Sequence, residues 1–285
     1  MTVTADESTY TEQADTMEGI DRGRSIRNTI RLGVFSLALV LAGVMTVLFL
    51  PELLATLVTG WTSEGAAELG VHRLHVMGIA AVVATFLIGL FAQAYRPRNR
   101  VAVMWGAFAT IAIATAGTVY YGVGRPEEVI PFLVITGLAL VAHPAGRGLF
   151  TRAESVSLPM LGLLAVAAIP ILAFVATQMS LTTNPLDAHA VDGHYVMMIA
   201  LVMAPLAYGL VAALGLVGWR LAAWIAALPI AYYGMLSMAF TTQAGSSGIM
   251  WGALAILWAI AFVAVAEYTR TGRSGRFRRT VGGSN

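Results

Sequence analysis

Cysteine and lysine are both missing from this 285-residue sequence, and charged residues make up only 11% of it. Without cysteine the chain can form no disulfide, no thiolate metal site and no iron–sulfur cluster. Its hydrophobic share is 58% and its mean hydropathy is +0.77. This composition excludes an ordinary soluble domain, and we expect no nucleic-acid partner.

Apolar runs recur from Leu32 to Val265. A run of about 20 residues can span about 30 Å of hydrocarbon as a helix. The sequence therefore predicts an all-α, polytopic membrane protein that is surrounded by a lipid bilayer and lies in the cell (cytoplasmic) membrane. Its eight predicted transmembrane helices lie at residues 32–58, 71–95, 101–121, 127–146, 157–179, 193–217, 218–240 and 247–268.

All 17 basic residues are arginine, and their distribution predicts the orientation of the chain. Loops and tails on the cytoplasmic side of a membrane carry an excess of basic residues. With the N-terminus inside, only Arg73 and Arg125 fall on the outer side. Both termini are therefore expected to be cytoplasmic.

An internal repeat is indicated when the chain is shifted by 120 positions. Residues 71–107 then align with 191–227 without a gap and share 13 of 37 residues, including glycine, methionine and arginine positions. The alternative is a chance alignment of alanine- and valine-rich helices. We favour two parallel four-helix repeats.

Five segments follow from this division. They are an acidic disordered tail followed by a basic cytoplasmic anchor (1–31), the first repeat (32–146), a cytoplasmic linker (147–156), the second repeat (157–268) and a basic cytoplasmic tail (269–285).

Four of the five histidines fall on the outer side, where the second and sixth predicted helices begin. His72 and His75 open one helix, and His189 and His194 precede or open the other. Two helices that each offer an imidazole suit bis-histidine ligation of a haem iron. We expect His75 and His194 to be the ligands, although a pair formed by His72 and His189 stays open.

Haem propionates need cations near the water interface. Arg73 and Arg125 are the outer candidates. His143, the remaining histidine, lies near the inner face.

The segment His194-Tyr-Val-Met-Met198, with Pro205 and Gly209 further along, resembles a helix of subunit I of haem-copper oxidases. In that family the second helix begins outside with a haem-ligating histidine, followed by methionine four residues later and then by proline. The segment also resembles the family's tenth helix, His-x-His-Tyr-Val, with Asp192 in place of the first histidine. The resemblance implies a haem b.

The family's copper site requires further imidazoles, including a His-His pair, which this sequence does not contain. Oxygen reduction at a haem–copper centre is therefore not expected. The expected role is electron transfer, redox or gas sensing, or service to a respiratory complex, with a respiratory-chain protein or small electron carrier as partner. Whether the chain is an enzyme by itself is left open.

Two other functions remain open. One is a proton- or cation-coupled transporter that uses His75, His194, Asp187 and Glu52. The other is a copper or zinc site on the extracytoplasmic face, built from all four outer histidines. Haem predicts histidines that face each other across a slot as wide as the macrocycle, whereas a metal ion predicts four imidazoles within a few ångströms.

Overall fold

The computed structural model describes residues 7–281, with side chains for 25–269. Over this range the chain forms helices and turns and no β-strand. The α-helices are α1 (Glu7–Phe49), α2 (Pro51–Thr59), α3 (Ser63–Leu69), α4 (Arg73–Phe91), α5 (Val101–Tyr121), α6 (Pro126–Val141), α7 (Leu158–Thr182), α8 (Ala188–Val191), α9 (His194–Ala213), α10 (Trp219–Ala239) and α11 (Gly248–Val281).

Seven of these helical segments are long and apolar enough to cross a membrane. They contain α1, α4, α5, α7, α9, α10 and α11. The expectation of a polytopic helical membrane protein is therefore confirmed. The remaining long helix, α6, has 16 residues.

The first predicted helix, 32–58, is wrong as a single element because Pro51 divides it. Helix α1 ends at Phe49, Leu50 leaves the helical region with φ −115° and ψ 0°, and Pro51 is the first residue of α2. Proline has no backbone N–H and fits the first helical position, where that donor is not needed. Helix α1 begins at Glu7, inside the stretch expected to be disordered, and residues 1–6 lie outside the described residues.

The fourth predicted helix ends earlier than expected, at Val141 instead of residue 146. His143 precedes Pro144, and the residue before a proline is disfavoured in the helical region. Glycine ends the sixth predicted helix early in a similar way. Helix α9 stops at Ala213, and Gly215 and Gly218 then turn the chain with φ of +70° and +86°.

The bundle has a buried centre and a lipid-facing periphery. In the spans that contain α4, α5, α9 and α10, 61–67% of the residues in the most apolar stretch of 18 are buried. For α1, α7 and α11 this share is 17–22%. In the first half of the chain, α4 packs against α5, α5 against α6, and α6 against α1. In the second half, α9 packs against α10, α10 against α11, and α11 against α7. Helices α4 and α9, which carry His75 and His194, pack directly against each other in the centre.

Two glycines let the central helices close around Tyr208 of α9. A Cβ on Gly106 of α5 would lie 2.1 Å from the ring, and one on Gly89 of α4 would lie 2.0 Å from the hydroxyl oxygen. The ring is fully buried, and its hydroxyl donates to the Thr85 carbonyl at 3.3 Å. This contact fixes α4, α5 and α9 relative to one another well inside the bundle.

Candidate functional site

The four histidines predicted to lie on the outer side meet at one end of the central helices. His72 ends a short 3₁₀ turn (Gly70–His72), and His75 lies in the first turn of α4 that follows it. His189 lies on α8, a single turn between α7 and α9, and His194 is the first residue of α9. The four histidines therefore belong to three separate segments of the chain, and the packing of α4 against α9 brings these segments together.

The imidazole rings are in mutual contact. Ring centroids are 4.3 Å apart for His72 and His189, 5.4 Å for His72 and His194, and 4.7 Å for His75 and His189. They are 5.5 Å apart for His75 and His194 and 5.6 Å for His189 and His194. One ring nitrogen each of His72, His189 and His194 lies within 4.8 Å of the other two. All four rings therefore belong to one cluster.

Several of these ring nitrogens are buried without a hydrogen-bond partner among the described residues. They are Nδ1 of His72, Nδ1 and Nε2 of His75, Nε2 of His189 and Nδ1 of His194. A buried polar atom without a partner is costly, and such atoms are uncommon in folded proteins. Their concentration in one cluster indicates a group that would bind there.

A carboxylate orients His189 within the cluster. The Oδ1 atom of Asp187, the residue that caps α8, accepts hydrogen bonds from the backbone N–H of His189 at 2.9 Å and from its Nδ1 at 3.1 Å. The hydroxyl of Tyr195 donates to Oδ2 of Asp187 at 2.6 Å. The hydrogen bond from Tyr195, followed by those from His189, lowers the pKa of the Asp187 carboxyl.

Because an ionised carboxylate only accepts hydrogen bonds, Nδ1 of His189 must carry its proton. The lone pair of the neutral ring is then on Nε2, the atom that is buried without a partner. A carboxylate behind a histidine is the usual way in which proteins fix the tautomer of a metal ligand.

Two glycines position the turn that carries His189. Gly124, in the loop between α5 and α6, donates its N–H to the Val191 carbonyl at 2.8 Å. A Cβ on Gly193 would lie 3.1 Å from the Cα of Gly124, and both residues have positive φ, +74° and +64°. Glycine is therefore needed on both sides of this contact.

The loop between α10 and α11 packs against the cluster from another side. Gln243 accepts the backbone N–H of Leu74 at 2.8 Å and donates to the Gly70 carbonyl at 3.2 Å. It therefore caps the start of α4 from a distant part of the chain. A Cβ on Gly245 would lie 3.0 Å from Nε2 of His75, so this backbone lies directly on the buried imidazole.

The two arginines expected near haem propionates are engaged elsewhere. Arg73 donates to the carbonyls of Gly60 and Thr62, and its guanidinium lies 4.5 Å from the centroid of the Phe240 ring. Arg125 forms an exposed ion pair with Glu128 at 2.9 Å. Both contacts belong to the loops that surround the cluster and give neither arginine an evident role inside it.

His143 is separate from the cluster. It is fully buried near the other end of the bundle, where Nε2 lies 3.1 Å from Oε1 of Gln93 and Nδ1 accepts the N–H of Ala145 at 3.2 Å. Both ring nitrogens are thus paired. We assign this histidine to the packing of the loops at that end of the bundle.

The spacing of His72, His189 and His194 fits a single metal ion, and the His75 ring lies beside two of them. Metal–nitrogen bonds of about 2.0–2.1 Å in a tetrahedral complex bring neighbouring imidazole centroids to about 5 Å of one another. The observed separations, 4.3–5.6 Å, lie on both sides of that value.

Comparison with known protein families, curated proteins and solved structures finds no match to this chain.

Proposed function

We propose that this membrane protein binds one copper or zinc ion at its outer end through His72, His75, His189 and His194, and that it captures or delivers that ion. The observation that carries the proposal is a cluster of four imidazoles, each with at least one ring nitrogen that is buried without a partner among the described residues. Three of them, His72, His189 and His194, have ring nitrogens within 4.8 Å of one another. Imidazole ligands without thiolates suit both metals.

An eight-helix topology, with α6 as a crossing in addition to the seven long apolar segments, would support an outward position for the site. Because α4 and α9 begin at the same end of the bundle, the chain from the start of α4 to the start of α9 must cross an even number of times. Helices α4, α5 and α7 provide three crossings, and α6 provides the fourth with a length of about 24 Å. With eight crossings and the arginine-rich loops on the cytoplasmic side, the histidines would lie outside.

The duplication also gains support from the packing. The contacts of α1 with α6 and of α5 with α6 in the first proposed repeat have counterparts in those of α7 with α11 and of α10 with α11. Helices α4 and α9 are equivalent in this scheme and pack against each other. The metal site would then lie close to the axis that relates the repeats.

The surroundings of the site suit a cation that arrives from outside. Exposed acidic residues at this end include Glu64 and Glu68 on α3, Glu127 in the first turn of α6, and Asp192. Carboxylates at the rim of a site raise the local concentration of cations.

Haem b stays a prediction, and the geometry favours it less. A bis-histidine haem holds its macrocycle between two imidazoles. With His75 and His194 as the ligands, His189 lies 4.7 and 5.6 Å from them and would stand where the macrocycle must fit. The transporter and the respiratory partner likewise stay predictions.

Metal titration tests the proposal. The full-length protein, purified in detergent and stripped with a chelator, should bind one Zn²⁺ or Cu²⁺ per chain. His189→Ala and His194→Ala should weaken binding by about 100-fold or more, since each removes a ligand. His143→Ala should bind as the wild type does.

A sharp haem b spectrum in the reduced protein, lost in His75→Ala and His194→Ala, would instead establish the haem. Protein that binds neither metal would overturn the proposal.

A further inference from the structure

A buried methionine lies one helical turn inward of the histidine cluster. Met198 follows His194 by four residues on α9, so the two share a face of that helix. A Cβ on Gly78 of α4 would lie 2.9 Å from Sδ of Met198. Gly78 in turn follows His75 by three residues on α4 and lies on its face. The thioether therefore lies between α4 and α9, in the layer directly below His75 and His194.

The lean of the Met198 side chain and the buried, unpartnered ring of His75 both favour a ligand role for the thioether. Long side chains on a helix lean toward its N-terminus, which for α9 is the end that carries His194. His75 is fully buried, and neither of its ring nitrogens has a partner among the residues that the structure describes. His75 and Met198 thus offer an imidazole and, one helical turn further into the bundle, a thioether.

We propose that the site is a copper site that holds Cu(I), with Met198 as its thioether ligand beside His75. The inference rests on the proposed metal binding and adds the identity of the metal. Thioether sulfur is a soft ligand that favours Cu(I), while Zn²⁺ is satisfied by imidazoles and gains little from it. Glycine at position 78 leaves the space in which the sulfur lies.

Methionine is also a common packing residue, since its flexible side chain fills irregular gaps. A packing role predicts that Met198 affects every metal equally or not at all. A ligand role predicts an effect on Cu(I) alone. The ratio of the two affinities therefore separates the roles.

The test compares Met198→Leu with Met203→Leu in full-length protein in detergent. Met203 lies on the same helix and packs against the same buried cluster, but further from the histidines. Leucine conserves volume and apolarity. Cu(I) affinity is measured anaerobically against a chromophoric Cu(I) chelator, and Zn²⁺ affinity against a zinc indicator.

Met198→Leu should weaken Cu(I) binding by about tenfold or more and change Zn²⁺ binding by less than about threefold. Met203→Leu should change neither. Equal losses for both metals, or unchanged Cu(I) affinity, would assign Met198 to packing. If the wild type binds neither metal, the proposed function itself fails. If the wild type binds metal but Met198→Leu leaves Cu(I) affinity unchanged, only the present inference fails.

X-ray absorption at the copper edge provides a measurement that needs no variant. Cu(I)-loaded wild-type protein should show one sulfur neighbour in addition to imidazole nitrogens. Because the chain has no cysteine, that sulfur can only come from methionine. A spectrum with nitrogen neighbours alone would overturn the inference even if Met198→Leu failed to fold.

Discussion

The carboxylate of Asp187 lies 3.1 Å from Nδ1 of His189, and the hydroxyl of Tyr195 holds the other carboxylate oxygen at 2.6 Å. The carboxylate thereby directs the lone pair of His189 into the cluster. It is the one acidic side chain that the described structure places in contact with a cluster histidine.

Asp187→Asn should weaken metal binding by about 10- to 100-fold, because the amide keeps the shape of the side chain but loses the charge that fixes the tautomer. The dissociation constant for Zn²⁺ measures the effect. Asp192→Asn, on the exposed turn five residues later, is the matched control and should weaken binding by less than about threefold, because it removes only one rim charge. Equal effects of the two variants would reduce Asp187 to a contributor to the surface field.

Gly245→Ala should impair the site through His75. The added Cβ would lie 3.0 Å from Nε2 of His75, and φ is +82°. Gly248 is the matched control, since its φ is +74° and its Cβ would meet no atom within 4 Å. Both variants carry the left-handed cost of about 1–2 kcal/mol, but only Gly245→Ala should also weaken metal binding. Equal metal affinities would show that the loop can yield without moving the imidazole.

Gln243→Met should loosen the start of α4. It removes the acceptor for the Leu74 N–H and the donor to the Gly70 carbonyl while it conserves side-chain length. Loss of a helix cap costs about 1 kcal/mol, so we expect a lower midpoint of thermal unfolding and weaker metal binding. Thr242→Ala, at the exposed neighbouring position, should change neither quantity. An unchanged midpoint in Gln243→Met would show that these two hydrogen bonds do not stabilise the start of α4.

Gly106→Ala should destabilise the bundle because its Cβ would overlap the ring of Tyr208 at 2.1 Å. Overpacking of this kind costs about 1–3 kcal/mol. Gly162→Ala on α7, where a Cβ meets nothing within 4 Å, should be neutral or stabilising. Thermal unfolding in detergent, followed by size-exclusion chromatography, measures both. A tolerated Gly106→Ala would indicate that α4, α5 and α9 are held less closely than described.

Much of the fold follows from local properties of the sequence. Apolar length predicts the membrane helices, and the positions of His72 and His194 at two helix starts predict imidazoles at one depth. Proline and glycine determine helix boundaries that cannot be predicted from the length of the apolar runs. Pro51 divides the first predicted helix, and Pro144 ends the fourth.

The arrangement of the cluster could not be predicted because it depends on distant contacts. His189 is positioned by the cap from Asp187 and by the contact between Gly124 and Gly193. Sequence spacing places His189 in a loop and favours His75 and His194 as opposed ligands of a haem. Only the packing of α4 against α9 shows that His72 and His189 lie in the same cluster. The Asp187-Ala-His189 segment is the one sequence feature from which the orientation of the His189 ring could have been predicted, because an aspartate that caps a helix can also accept a hydrogen bond from the histidine two residues later.

The central claim is that four imidazoles hold one metal ion, and X-ray absorption of the metal-loaded wild-type protein tests it most directly. The zinc-loaded protein should show three to four imidazole neighbours per metal atom, and His189→Ala should lose one of them. A shell made of water and carboxylate oxygens, unchanged in His189→Ala, would contradict the account.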